Sequence, residues 1–144
     1  MTVIREFKSK DMNDVLDIWL SVSIKAHSFV KSSYWQSQVK NMRDIYIPSA
    51  KTFVILKDSK IVGFYSLYEN ILAAIFVKNE FQGLGLGKKL LEHAKKQTDE
   101  LFLTVYKKNT SSYNFYLSQG FKVIKEQIDE GSLEYEYKMR FERG

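Results

Sequence analysis

Three of the chain's seven glycines, Gly83, Gly85 and Gly87, alternate within FVKNEFQGLGLGKKLLEHAKK, between an apolar run and a segment of helical periodicity. Alternate glycines remove the Cβ atoms that would hold an anion off the main chain. A helix that starts there aims free N–H groups and the positive end of its dipole at the same point, which makes a phosphate cradle. Each charge-to-terminus contact contributes ~0.3 to 1 kcal/mol, up to ~2 when partly buried. Lys88 and Lys89 add positive charge at the rim. The spacing excludes two other cradles. A Walker loop, G-x-x-x-x-G-K-[ST], needs one more residue between Gly83 and Gly87 and a hydroxyl where Lys89 stands; a G-x-G-x-x-G fingerprint needs glycine in place of Lys88. A tight strand-to-helix turn that uses glycine for packing alone is the competing explanation.

The flanking segments supply elements to hold such a loop. TVIREF alternates apolar and polar residues as a half-buried strand does. In SKDMNDVLDIWLSVSI the period changes: Met12, Val15, Leu16, Trp19 and Val22 share a helical face, with Ser9 or Asp11 to cap it. YWQSQVKNMRDIYI has the pattern of a second helix that ends before Pro48. TFVIL and IVGFYSLY are strands joined by the hairpin turn KDSK, and ILAAIFV follows a kink near Glu69 and Asn70. Leu86, Leu90, Leu91 and Ala94 share one side of the helix after the glycine loop. LFLTVY is a strand, SSYNFYLSQ a short helix stopped by Gly120, and FKVIKEQI and LEYEYKMRF are strands joined by DEGS. In the last, Leu133, Tyr135, Tyr137, Met139 and Phe141 alternate with charged residues, and this aromatic strand is a candidate for pairing with a second copy. The order implies an α/β (α+β) fold, a mixed sheet with helices on both faces.

At 144 residues the chain has the length of one domain, 1–144, and such a domain buries roughly 68 to 70% of its unfolded surface. A 44% hydrophobic and 15% aromatic composition excludes disorder. The net charge of +5 is spread without a basic run, which favours acidic ligands; a nucleic-acid footprint would need those charges gathered on one face, and no nucleic-acid partner is expected. The absence of cysteine rules out disulfides, thiolate ligands and a cysteine nucleophile, and the plain reading is a cytoplasmic protein. The start lacks a signal-peptide core, and ILAAIFV is far short of the ~20 residues that span a bilayer, so no membrane partner is expected. Neither His27 nor His93 has partners at metal-ligand spacing, so no metal is expected.

Read as Q-x-x-G-x-G, Gln82 to Gly87 resembles the acyl-CoA pyrophosphate loop of the GCN5-related N-acetyltransferases (GNAT). NTSSYNFYLSQGF, Asn109 to Phe121, resembles the N-x-x-x-x-x-F-Y-x-x-x-G-F segment of the same family. The two stand at the family's separation and in its element order, and the likeness spans essentially the whole chain. HSFVKSSYW, LAAIFV and VYKKN are similar to patterns in the small bacterial YiaC-type and YjaB-type members. The resemblance implies a single-domain acyl-CoA N-acyltransferase fold, with a mixed, mostly antiparallel twisted sheet of roughly six to seven strands flanked by about four helices. It also implies acetyl-CoA as co-substrate and an amine acceptor, either a protein lysine or a small molecule. Monomer and homodimer both remain open.

By this resemblance, main-chain N–H groups from Gln82 through Gly83, Leu84, Gly85, Leu86 and Gly87, together with Lys88, hold the CoA pyrophosphate. Main chain at Ile75, Phe76 and Val77 pairs with the pantetheine arm, along which Asn109, Tyr113 and Tyr116 also lie. Asn109 serves equally well as a helix N-cap. Tyr116 is the expected acid. Amine attack on the thioester expels a thiolate; a thiol of pKa about 8.5 leaves better when protonated, and a phenol of pKa about 10 can supply the proton. Its alternative is an aromatic on the buried side of a short helix. An acceptor lysine of pKa about 10.4 is mostly protonated at neutral pH, a handicap of roughly 4 to 5 kcal/mol that a base, a water chain or desolvation must offset. Glu69 is the candidate base, or else a solvated turn carboxylate. His27 falls in the substrate-shaping loop of this fold, or else caps a helix or packs on Trp35. Phe29, Tyr34 and Trp35 line the acceptor pocket or pack in the core. Without cysteine, direct transfer in a ternary complex is expected over an acyl-enzyme. A silent acyl-CoA sensor and a basic nucleic-acid-binding domain are the rival functions.

Overall fold

In the computed structural model, which describes residues 1–143, the period-two segments all join one sheet. Its strands are β1 (Thr2–Glu6), β2 (Lys51–Lys57), β3 (Lys60–Tyr68), β4 (Ile71–Val77), β5 (Glu100–Tyr106), β6 (Lys122–Ile128) and β7 (Tyr135–Glu142). They lie in the order β1-β2-β3-β4-β5-β7-β6, and every neighbouring pair is antiparallel except β4 and β5. The β2–β3 hairpin turns through Asp58 and Ser59, with φ of 50° and 70°, the backbone hand that matches the twist of the flanking strands.

Helices cover both faces. α1 (Met12–Ala26) and α2 (Ser32–Asn41) pack on one, where Val15, Leu16, Trp19 and Trp35 meet Val54 and Phe64. A short turn, α3 (Ile47–Ser49), leads from there into β2. α4 (Leu86–Lys95) and α5 (Thr110–Ser118) cover the other face. Leu86, Leu90, Leu91 and Ala94 of α4 are all buried there against Val62, Tyr65, Leu101 and Leu103. A fully buried leucine contributes roughly 1.5–3 kcal/mol, so this stripe anchors the start of α4, and with it the glycine loop, to the sheet.

Four local expectations are corrected. The helical path does not end before Pro48: a π-turn at Met42–Tyr46 re-phases the chain, and Pro48 falls in the first turn of α3, where its missing N–H is not needed. Neither Ser9 nor Asp11 caps α1 with its side chain; the buried Asp11 carboxylate accepts from Lys8 N at 2.8 Å and from Arg5 at 2.7 and 3.0 Å, tying β1 to the helix start. Leu133 lies outside the last strand, at φ 64° in the preceding turn and 75% exposed. That strand, β7, is flanked by β5 and β6 on its two sides, so the free edges belong to β1 and β6 and the aromatic strand has no edge to offer a second copy.

One irregularity positions the site. β4 and β5 share a single ladder position, Ile71 opposite Phe102, reinforced by Phe102 N–H donating to Asn70 O at 2.9 Å. Immediately beyond it the β3–β4 register shifts, so that Ser66 and Leu67 oppose Ala74 and Leu72 and Ala73 is the extra residue. Such a bulge bends its strand and sharpens the local twist. β4 therefore turns away from β5, and the sheet opens from Ala73 onwards.

Candidate active site: a slot through the sheet

The opening between β4 and β5 is a cavity of about 580 Å³, lined by main chain and side chains of residues 72–77 on one side and 103–106 on the other. Alternation along the strands gives it two unlike mouths. Ile75, Val77, Leu103 and Val105 belong to the core under α4 and α5, whereas Ala74, Phe76 and Tyr106 belong to the core under α1 and α2.

The α4 mouth is built for an anion. Gly83 and Gly85 both sit at φ 81°, a left-handed conformation that L side chains resist, and a Cβ at either would meet nothing within 4 Å. The first helical bond of α4 runs from Lys89 N–H to Gly85 O at 3.1 Å, so the helix itself makes no use of the amides of Leu86, Gly87 and Lys88. Gln82 braces this bend, its Nε2 donating to Val77 O at 3.0 Å. Gln82 and Gly87 line the slot, whereas Leu84 and Lys88 are exposed outside it. Tyr116 of α5 also lines the slot, its ring packed on Phe115 and Phe121 at 5.6 and 5.7 Å. Burial raises its phenol pKa well above the ordinary value, so it is protonated at neutral pH.

The α1 mouth is aromatic and acidic. Trp19, Val22, Ser23, Ala26 and His27 reach it from one face of α1. His27 ends that helix, with ring neighbours Tyr106, Trp35 and Phe29 at 4.9, 5.3 and 5.8 Å. Asn109 fixes its tautomer. Asn109 Oδ1 accepts from Ser112 N at 3.2 Å as the N-cap of α5, which turns its Nδ2 to donate to His27 Nε2 at 3.1 Å. His27 therefore carries its proton on Nδ1, which is buried without a partner. Burial lowers the His27 pKa to about 4.

Two carboxylates complete this mouth. Asp129, in the β6–β7 turn, accepts from Tyr106 Oη at 2.9 Å and Ser132 Oγ at 2.7 Å. Burial pushes the Asp129 pKa up, but the hydrogen bonds from Ser132 and Tyr106 outweigh it and hold it below the ordinary carboxylate value. Glu136 of β7 stands opposite Tyr106 of β5, on the same face, and accepts from Gln127 Nε2 at 2.5 Å. Its pKa is raised, chiefly by burial.

Of the site residues expected from sequence, Ile75, Phe76, Val77, Gln82, Gly87, Asn109, Tyr116, His27 and Trp35 converge on the slot. Others stand away from it. Glu69 is an exposed residue at φ 56° in the β3–β4 turn and does not line the cavity; a tight turn with a left-handed residue points outward at the end of the sheet. Tyr113 stacks on Tyr137 at 5.0 Å instead of lining the slot. Phe29 and Tyr34 back the lining residues, packed on Tyr106 and Trp35. Sequence reasoning missed Asp129, Glu136, Thr104 and Tyr106, all of which line the slot. The alternation in LEYEYKMRF assigns Glu136 to a polar face, but not to one that α1 and α2 enclose.

Residues 23–141 match the family model described as the acetyltransferase (GNAT) domain. The chain belongs to the GNAT family. Among curated relatives of this GNAT chain is the peptidyl-lysine N-acetyltransferase YiaC of Escherichia coli, 35% identical over 123 residues, 85% of this chain and 84% of the relative. The solution structure of the apo form of YjaB from Escherichia coli superposes with a TM-score of 0.87 at 25% identity, covering 98% of this chain and 97% of that one. The PaiA N-acetyltransferase of Thermoplasma acidophilum, solved in complex with coenzyme A, shares the fold at a TM-score of 0.80 and 21% identity, with 99% of each chain covered. The GNAT sheet, mostly antiparallel and opened between its fourth and fifth strands, is thus the frame of the site. Among the described residues no helix is long and apolar enough to cross a membrane, and no group of three or more metal-ligating side chains is gathered.

Proposed function

We propose that this GNAT protein transfers the acetyl group of acetyl-CoA directly to a primary amine, with a peptidyl lysine as the first candidate acceptor. The observation that carries the reading is the slot itself: unclaimed amides and a lysine-rich helix start at one mouth, two carboxylates at the other. The left-handed Gly83 and Gly85 leave open space where side chains would block a pyrophosphate. The β5-facing side of residues 73–77, which lacks a strand partner, is free to hold the pantetheine arm as a further strand would be held. The acetylating group supplies a thioester carbonyl for attack inside the slot.

The chain's own residues then do the following. Tyr116 keeps its proton until the leaving sulfur needs it; the burial that raises the phenol pKa also disfavours a free thiolate, so the proton moves as the C–S bond breaks. Trp35, His27 and Tyr106 exclude water on the acceptor side, which slows hydrolysis of the thioester. Asp129 remains ionised and attracts an ammonium group to the mouth. The name of the relative YiaC supports a peptidyl lysine as that ammonium.

The test follows thiol release from acetyl-CoA with a panel of lysine peptides, polyamines, amino acids and aminoglycosides. Release with at least one amine, and mass addition of one acetyl group to it, is the expected result. Heat stabilisation by CoA with no turnover on any amine would replace this reading with that of an acyl-CoA sensor.

A further inference from the structure

We infer that Glu136 is the general base that takes the proton from the acceptor's ammonium group. The inference rests on the acetyltransferase reading and follows from how the titratable groups around the acceptor mouth are occupied. Glu69 lies outside the slot. His27 lies inside it, but its one lone pair receives the Asn109 amide proton and its Nδ1–H is buried, so no site is left to accept a proton. Asp129 takes hydrogen bonds from Tyr106 Oη, Ser132 Oγ and Ser132 N, and these stabilise the very charge that a base must surrender. Glu136 is the carboxylate left. Gln127 occupies its Oε2, and among the described residues no charged side chain pairs with it.

Its placement suits the task. Glu136 is paired across the ladder with Tyr106, one alternation from Thr104, and Glu136, Tyr106 and Thr104 all line the slot. The carboxylate lines the slot from β7, the strand next to β5, with Gln127 of β6 steadying its far oxygen. The charged and titratable groups facing it come from every neighbouring element. Lys138 shares its face of β7 and lies over Phe102 at 5.1 Å, while Glu134, just before the strand, is paired with Lys108 at 3.1 Å. Tyr106 faces it from β5 and Lys125 from β6; Asp129, in the turn after β6, and His27, at the end of α1, line the same cavity, and Tyr34 of α2 stands behind Trp35. Asp129 is the neighbour whose charge adds to burial in raising the affinity of Glu136 for a proton, which brings a carboxylate nearer the range useful for base catalysis at neutral pH.

The protons balance. The ammonium gives one proton to Glu136, directly or through one water, and the freed lone pair forms the C–N bond at the thioester carbonyl. The C–S bond then breaks with its electron pair on sulfur. Tyr116 protonates that sulfur and recovers the second proton from the new amide nitrogen, while Glu136 returns its proton to water.

The experiment measures kcat/KM from pH 6.5 to 10, using whichever of Nα-acetyl-lysine amide, spermidine and benzylamine the wild-type protein acetylates fastest. For Glu136→Gln the expected loss is on the order of 10²-fold at pH 7, the size usual for a missing base. The loss should shrink below about tenfold by pH 10 as the amine deprotonates by itself, with calorimetric CoA affinity unchanged. Glu136→Asp should fall between, and serves as the test if Glu136→Gln does not fold. Wild-type rates at pH 7 in either variant, or a deficit that stays constant across the pH range, would overturn the assignment while leaving the acetyltransferase reading intact. No transfer by the wild-type protein to any of the amines would instead strike down that reading, and this assignment with it.

Discussion

At His27 the hydrogen-bond inventory and burial act together. The ring is neutral because Asn109 donates to Nε2 and the protein encloses Nδ1, and its pKa lies at about 4. A folded-state pKa below the ordinary ~6.5 means that the stability tied to neutral His27 is complete above ~6.5 and is lost as pH falls towards 4. Urea unfolding at pH 7 and pH 5 should therefore show a drop for the wild-type protein that exceeds the drop for His27→Gln by about 2 kcal/mol. Equal drops would mean that the ring is already hydrated. Tyr116 is the complementary case, since its ring is core but its phenol proton is the one proposed to reach the leaving sulfur. Tyr116→Phe keeps the packing on Phe115 and Phe121, so turnover should fall by on the order of 10²-fold with melting temperature and CoA affinity almost unchanged. Paired melting and single-turnover measurements check this, and a loss of stability parallel to the loss of rate would make Tyr116 a packing residue.

The element that matters most is β4, and within it Ala73. Deleting Ala73 would place Leu72 and Ala74 opposite Leu67 and Ser66 without a bulge, leaving the faces of the later residues unchanged. The shortened strand should run straight, continue its pairing with β5 past Phe102 and narrow the slot. The expected outcome is a folded protein with equal or higher melting temperature that has lost calorimetric CoA binding; retained binding would show that the bulge is not what parts the strands. Local elements of this kind were partly legible in sequence. The periods of TVIREF, ILAAIFV and the α4 stripe reflect burial on one face, which composition at fixed spacing records directly. The bulge at Ala73, the π-turn that admits Pro48 and the interior position of β7 depend on which strand lies beside which, and no local pattern encodes that. The same reason hid Glu136. Its neighbours Tyr106 and Gln127 are brought beside it by two different strand pairings, whereas the glycine loop and Asn109 were visible because their partners lie within a few residues.

Across the whole molecule, the two helical layers are not equivalent covers. α4 and α5 present the helix start and Tyr116, α1 and α2 present the aromatic wall, and the split in the sheet joins the two. A cysteine-free chain with such a slot has no thiol to carry an acyl group, and the proposed transfer passes directly from donor to acceptor with both substrates bound. Incubation with acetyl-CoA alone should leave the protein mass unchanged, and initial rates against both substrates should give intersecting reciprocal plots. A parallel pattern, or a mass increase of one acetyl group that a later amine removes, would require an acyl-enzyme instead. A passage open on both faces also separates the traffic. Under the proposed function, the spent donor would be exchanged from behind while a large acceptor stays seated in front, so a client with several lysines would be modified repeatedly before it departs.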